Sequence, residues 1–402
     1  MHVCFFNRSY WPDLGATGQL LTELAEDLVR LHGWDVTVVA GYPLRSASQL
    51  PSREWRNGVQ IVRAAGSTLD PKAFVGRATN YVTYFASALL RGLGIRVPDV
   101  VVALTDPPII GLAALATAKR GHAPFVFLCE DIFPEVATLL EDFHSGIVND
   151  ALTRVNRFLV RKADRIVALG DTMKRRLVEG KGADPSKVSV IHNWADCEAV
   201  KPGTRDNAFA RRHDLLDRCV VLHAGNIGLS QNLEIVLHAA DQLRDRDDIV
   251  FVFVGDGAKK KYLEDMAARR DLRNVLFLPF QPREEMDQSY ATADIALISL
   301  KAGLAGVIVP SKLYNVLASG RPCIAAVERD CEVAQIVDAA ACGYVVGPGD
   351  ASALRARIVE LSADRERRRE MGERARAAAL EFDRPRQVAA YDRLLREVAG
   401  RC

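Results

Sequence analysis

Along the first half of the chain, short unbroken apolar runs alternate with longer stretches in which apolar positions recur every three or four residues. The runs are HVCFFN, DVTVVAG, VQIVRA, VVVALT, PFVFLCE, RIVALG and VSVIHN. They lack the period-two alternation of a half-exposed strand, and so predict parallel strands buried on both faces, with helices as the crossovers. After CEAVKPGTRDN, a polar Pro/Gly segment that reads as a linker, the same alternation restarts: CVVLHAG, IVFVFVGDG, NVLFLP, IALISL, PCIAAV and GYVVG. The fold class predicted is α/β, two Rossmann-like doubly wound domains in tandem, over residues 1–200 and 201–380. The tail from Asp350 reads as three helices, ASALRARIVELSA, DRERRREMGERARAAALEF and RQVAAYDRLLREVAG, and the last, in 381–402, is expected to pack back on the N-terminal domain.

Length supports two cores, since 402 residues exceed what one domain buries. Hydrophobic residues at 49%, charged residues at 26% and a net charge of +2 describe an ordinary globular chain and argue against a dedicated nucleic-acid binder. The arginine-rich middle helix of the tail is read as a solvated face. Eight cysteines are scattered with no C-x-x-C, so neither a zinc site nor a disulfide framework is suggested, and a reducing cytoplasm fits best. HVCFFN reaches Arg8 before an apolar leader could form, so no signal peptide is expected. There is no G-x-x-x-x-G-K-[ST] loop and no H-E-x-x-H. GATG lacks the third glycine of a dinucleotide fingerprint, and DRD at Asp245–Asp247 precedes a strand, at the edge of a sheet where ligands do not bind.

Four loops sit at the carboxyl ends of predicted strands or lead into a helix there. GATGQL, with Gly15, Thr17 and Gly18, follows the first strand. GNIG (Gly225 to Gly228) and GDG (Gly255, Asp256, Gly257) follow the first two strands of the second half. VPSKLYNVLASGRP places Ser311 and Lys312 at a turn before a short apolar helix. A helix start offers unpaired N–H groups and a positive dipole end, so an anion is the natural ligand, with an ordinary helix start as the plain alternative. The cleft between the two domains is the expected site.

The ordered series YWPDLGATGQLLTELAEDL, DPPIIGLAA, CEDIFPEVA, VIHNWAD, GNIGLSQNLE, FVGDG, VLFLPFQPREEM, ADIALISL, PSKLYNVLASGRP and GYVVGPGD resembles the retaining GT-B glycosyltransferases of family four, and within them the WcaI/WbuB-type transferases of colanic acid, O-antigen and exopolysaccharide assembly. The resemblance implies a nucleotide-sugar donor, with uridine preferred as base, bound mostly by the C-terminal domain. It implies a polyprenyl-diphosphate-linked acceptor bound mostly by the N-terminal one, transfer with retention, no required metal and no cofactor. The donor-binding set it implies is Gly225, Asn226, Gly228, Gln231, Gly255, Asp256, Gly257, Ser311, Lys312, Leu313 and Asn315, with Gly15, Thr17 and Gly18 as the N-domain glycine loop.

Departures from that family pattern sharpen the expectations. Many members carry a Glu-x7-Glu pair; here Asn315 fills the second slot, and the first falls on Val307, or on Gly303 if the turn is an insertion. The Arg and Lys of the first C-domain loop are replaced by Asn226 and Gln231, which makes Lys312 the nearest motif cation to the diphosphate. Where relatives have His-Asp after the N-domain's fifth strand, this chain has Glu130-Asp131. A carboxylate there can act as general base or stabilise a developing positive centre; capping the next helix is the alternative. Rival functions are a GT-B nucleotide-sugar epimerase or hydrolase, and a non-catalytic GT-B partner subunit.

The segment from Pro71 to Pro98 has no Asp or Glu, and interleaves Lys72, Arg77, Arg91 and Arg96 with Phe74, Tyr81, Tyr84 and Phe85. It is too interrupted to span a bilayer. It is expected to dock the protein peripherally on an anionic membrane, at the inner face of the cell membrane, with a buried crossover helix as the alternative.

Overall fold

The structure is a computed structural model that describes residues 1–402 apart from 14, 44–49, 71–73, 141–145, 283–284 and 401–402. Two compact units divide the chain: Met1–His192 with the segment from Pro385 onward, and Asn193–Arg384. The chain therefore passes from one unit to the other twice.

The first unit holds β1 (His2–Phe6), β2 (Asp35–Gly41), β3 (Arg53–Arg56), β4 (Val59–Ala64), β5 (Val100–Ala103), β6 (Phe125–Cys129), β7 (Arg165–Ala168) and β8 (Val188–Val190). They lie in the order β3-β4-β2-β1-β5-β6-β7-β8. Every described pairing is parallel except β3 with β4. Each apolar run read from the sequence is one of these strands, and β1, β5 and β6 are buried along their whole length. Sealing both faces of such strands removes about 1.5–3 kcal/mol of exposed apolar surface per large side chain, which is why they carry no polar alternation.

The strand β3 was not foreseen. Its sequence, REWR, has no apolar run, but the following Asn57-Gly58, with φ of 48° and 82°, is the left-handed pair that closes a two-residue hairpin. That dipeptide was the available signal. The final helix, Arg384–Ala399, belongs to the first unit from Pro385 on, where Asp392 accepts a hydrogen bond from Trp34 Nε1 at 2.7 Å and Glu397 pairs with Arg165 at 3.0 Å.

The second unit holds β9 (Cys219–Ala224), β10 (Ile249–Val254), β11 (Val275–Leu278), β12 (Ile295–Ser299), β13 (Cys323–Ala326) and β14 (Gly343–Val346), all parallel, in the order β11-β10-β9-β12-β13-β14. In each sheet the order reverses beside the unit's first strand, between β1 and β5 and between β9 and β12. That switch point, at the carboxyl ends, is where a doubly wound sheet opens a crevice for a ligand. Asp245–Asp247 precede β10 and so lie at the opposite edge.

The helix Phe74–Leu93 follows β4 and packs against β2, β4 and the helix Ile110–Gly121. Tyr84 and Ala88 face the core. The opposite side is apolar too: Val75 is 70% exposed and Leu90 72%, with Val82, Ala86 and Leu93 between and beyond them. The helix is thus a crossover element with a bare aliphatic stripe. The aromatic residues do not line that stripe as the sequence suggested: Tyr84 is buried, and the ring of Tyr81 lies under the Arg8 guanidinium at 5.5 Å. Residues 71–73, including Lys72, and the side chain of Phe74 lie outside the described residues.

Candidate functional site

In the second unit the switch point gathers most of the loops singled out from the sequence. Gly225 follows β9 with φ 123°, and its N–H donates to the Val254 carbonyl at the end of β10. Gly255, at φ 152°, sits so close to Gly225 that an added Cβ would lie 1.9 Å from the Gly225 carbonyl oxygen. Gly257 is equally committed, since its Cβ would meet the Ile227 carbonyl at 2.4 Å. Two backbone loops therefore approach each other where no side chain fits, and they leave their polar groups at the sheet edge.

Lys312 reaches this edge from the helix Lys312–Ala318. Its Nζ stands 3.1 Å from His223 Nε2, and a Cβ added to Gly225 would lie 3.7 Å from it. Burial pulls the Lys312 ammonium down to about 7. Burial and then the neighbouring Lys312 hold the His223 imidazole well below its ordinary value. Lys312 thus sits poised to gain charge when an anion arrives, while His223 stays neutral.

The other predicted donor residues fall into distinct places. Asn226 is exposed and Asp256 is exposed, its Oδ1 accepting from the Gly257 N–H at 2.8 Å. Gln231 is buried and shapes the loop: its Oε1 accepts from the Gly228 N–H at 2.9 Å and its Nε2 donates to Ser230 Oγ at 2.7 Å. Ser311 precedes the helix without a side-chain cap, and the N–H groups of Leu313 and Tyr314 point at the carbonyls of Pro310 and Ser311. The positive charge on offer is therefore that of Lys312 more than of a seven-residue helix. Leu313 is fully buried. Asn315 lies near the hydroxyl of buried Tyr290.

Val307 is fully buried, so that slot presents no polar group. The carboxylate of this loop comes from a residue the sequence did not flag. Glu328, after β13, accepts from the N–H of Gly303 at 3.0 Å and of Ala305 at 3.4 Å. His223 was missed likewise, because a histidine inside an apolar strand reads as core.

In the first unit, the carboxyl ends of β1, β5 and β6 bring together Arg8, Ser9, Asp106 and Asp131. Asp106 accepts from Ser9 Oγ at 2.7 Å and from Arg8 Nε at 3.2 Å. A cavity of ≈ 220 Å³ is lined by Arg8, Ser9, Asp13, Gly15 and Tyr42. Gly15 precedes the helix Ala16–His32, and Thr17 is half-buried in its first turn. Gly18 is buried against the chain at Ser9 and Tyr10, where a Cβ would stand 3.4 Å from backbone.

Glu130 is buried and Asp131 half-buried, with the Asp131 N–H donating to Thr105 Oγ1 at 3.3 Å. The N-cap position of the next helix, Glu135–Leu139, is held by Pro134, so neither carboxylate residue occupies it. Burial, and then Asp106, raise the Asp131 carboxyl to about 7. Arg8, Ser9 and Asp106 were not singled out, although TDPP at the end of an apolar run follows the same rule that marked the glycine loops. Among the described residues, no group of three His, Cys, Asp or Glu side chains is placed to hold a metal ion.

Comparison with known proteins agrees with this architecture. Residues 15–194 match the glycosyl transferase 4-like domain, and residues 205–378 match the glycosyl transferases group 1 family. The chain is 33% identical over 362 residues to the putative colanic acid biosynthesis glycosyl transferase WcaI of Escherichia coli, covering 84% of this chain and 86% of that one. It is 32% identical over 272 residues to the probable glycosyltransferase WbjE of Pseudomonas aeruginosa, covering 65% of each, just under two thirds. Among solved structures, Anabaena HepE in complex with UDP superimposes with a TM-score of 0.75 at 16% identity, covering 100% of both chains. The lipopolysaccharide-biosynthesis glycosyltransferase WaaG superimposes with a TM-score of 0.73 at 15% identity, covering 98% of this chain and 99% of that one. At such identities the likeness is one of fold. Two Rossmann-like units, two matching domain families in order, and a relative matched over most of both lengths place this chain in the GT-B glycosyltransferases of the group 1 and 4-like families.

Proposed function

We propose that the protein moves a sugar from a nucleotide-diphosphate donor, a UDP-sugar, to a polyprenyl-diphosphate-linked saccharide in surface polysaccharide synthesis, with retention and without a metal. The observation that carries this reading is Lys312 held beside Gly225 at the switch point of the second sheet. A cation among close-packed glycine backbones suits a diphosphate, because it offsets the charge that builds on the leaving group as its bond to the sugar breaks. HepE has been solved with UDP and with UDP-glucose, which supports the choice of base. WcaI and WaaG are described by their roles in colanic acid and lipopolysaccharide synthesis, which supports the class of acceptor.

In this reading Asp131 takes the proton of the attacking acceptor hydroxyl, since a carboxyl titrating near neutrality can both accept and release it. Asp106 keeps that value high and, through Arg8 and Ser9, fixes the surrounding loop. The test is incubation of the protein with a panel of nucleotide sugars, with and without EDTA. Slow release of UDP from one UDP-sugar, unchanged by EDTA, is expected. An epimerised sugar, no binding at all, or activity abolished by EDTA would each overturn a stated part of the reading.

The acceptor's lipid would hold it at the bilayer, so the enzyme is proposed to work as a peripheral protein at the cytoplasmic face. The bare stripe of the Phe74–Leu93 helix supports this, with Arg91 and Arg96 near its end. No described helix is long and apolar enough to cross a membrane. Sedimentation with anionic liposomes is expected at low salt, and to fall severalfold for Val82→Asp combined with Leu90→Asp. Equal binding by that variant would place the contact elsewhere.

A further inference from the structure

His223, the penultimate residue of β9, is 1% exposed and yet does not behave as an apolar filler. Its Nε2 lies 3.1 Å from Lys312 Nζ and 3.4 Å from the Asn226 carbonyl, while Nδ1 is buried with no hydrogen-bond partner. A phenyl ring would fill the same slot beside Phe253, whose centroid is 6.0 Å away, without leaving a polar atom unmet. Packing alone therefore does not account for an imidazole here.

In its charged form Lys312 has only donors, so its hydrogen bond to the ring then requires a lone pair on Nε2 and puts the ring proton on Nδ1. On the reading that Lys312 meets the donor diphosphate, we propose that His223 is a positioning residue. As a neutral imidazole it accepts from Lys312 through Nε2 and holds the ammonium beside Gly225, where the diphosphate docks.

The groups around the ring fit that role. Lys312 comes from the helix Lys312–Ala318 at 3.1 Å and β10 contributes the uncharged Phe253, while the Asn226 carbonyl, 3.4 Å from Nε2, is itself an acceptor and makes no hydrogen bond to the ring in this tautomer. Asp256, on the neighbouring loop, is turned to the Gly257 N–H. Burial, and then the charge of Lys312, keep the ring uncharged. A neutral ring neither repels the ammonium nor competes for its proton. It also ties one of three donors and leaves two for phosphate oxygens.

The experiment is calorimetric titration of UDP into the wild type, His223→Phe and His223→Gln between about pH 6 and pH 9, with ¹⁵N NMR of the histidine rings in the wild type. Loss of one charge-assisted hydrogen bond predicts roughly tenfold weaker UDP binding by the Phe variant, largely rescued by Gln, whose amide oxygen can accept. NMR is expected to show His223 as the neutral Nδ1–H tautomer down to about pH 6. Wild-type affinity in the Phe variant, no rescue by Gln, or an Nε2–H or charged ring would overturn the proposal while leaving the donor reading intact. Failure of the wild type to bind UDP would instead remove the donor reading and this inference with it. Should His223→Phe not fold, the Gln variant and the NMR tautomer decide the question.

Discussion

Asp131→Asn is expected to lower turnover by roughly 10²- to 10⁴-fold, the usual worth of a positioned general base, with UDP affinity nearly unchanged. The two effects separate because Asp131 follows β6 of the first unit and the proposed donor set belongs to the second. The pH profile gives a sharper check. Its carboxyl is raised to about 7 by burial and then by Asp106, so the basic form grows as pH rises and the wild-type rate should climb to a plateau above about 7. The Asn variant should lack that limb, and Asp106→Asn should move it to lower pH by removing the second cause. Stability runs the other way. A carboxyl whose folded pKa is raised contributes stability below its unfolded value near 3.8, and loses it as pH rises through about 7. The Asn variant should therefore melt higher relative to wild type at about pH 8 than at about pH 5. A wild-type rate in both Asp131→Asn and Glu130→Gln would reduce these carboxylates to structural parts.

Lys312→Ala is expected to weaken UDP binding by about 1.5–3 kcal/mol, the range for a hydrogen bond to a charged group. Lys312 is the cation placed at Gly225; Asn226 and Gln231 carry no charge, and Gln231 is spent on the Gly228 N–H and Ser230. A diphosphate should lift the Lys312 pKa from about 7, so binding takes up protons. It follows that wild-type affinity is greatest below about 7 and falls as pH rises above it, by up to about tenfold per unit until the bound-state pKa is reached. The variant should lose this slope. Calorimetry that finds equal affinity in both proteins would remove Lys312 from the phosphate role. Ser311→Ala should have a smaller effect, because the hydroxyl is neutral and forms no cap.

What the sequence by itself determined was the list of parts. Thirteen of the fourteen described strands were legible, because a strand buried on both faces must be apolar at nearly every position, whichever strands turn out to flank it. The glycine loops followed from the same list, since ligands meet a doubly wound sheet at its carboxyl edge. The polar strand β3 escaped because its place is set by the Asn57-Gly58 turn and its partner β4, not by apolar burial of its own.

Tertiary structure decided which parts meet. Only the strand order places Arg8 beside Asp106, 98 positions away, and Lys312 beside His223, 89 positions away. It also selected between the two apolar faces of the Phe74–Leu93 helix, turning Tyr84 and Ala88 inward and leaving Val75, Val82 and Leu90 outside. Charge behaviour belongs to the same level. A lysine and an aspartate brought towards neutrality owe it to lost hydration, joined for the aspartate by Asp106, and neither cause exists until the chain has folded around them.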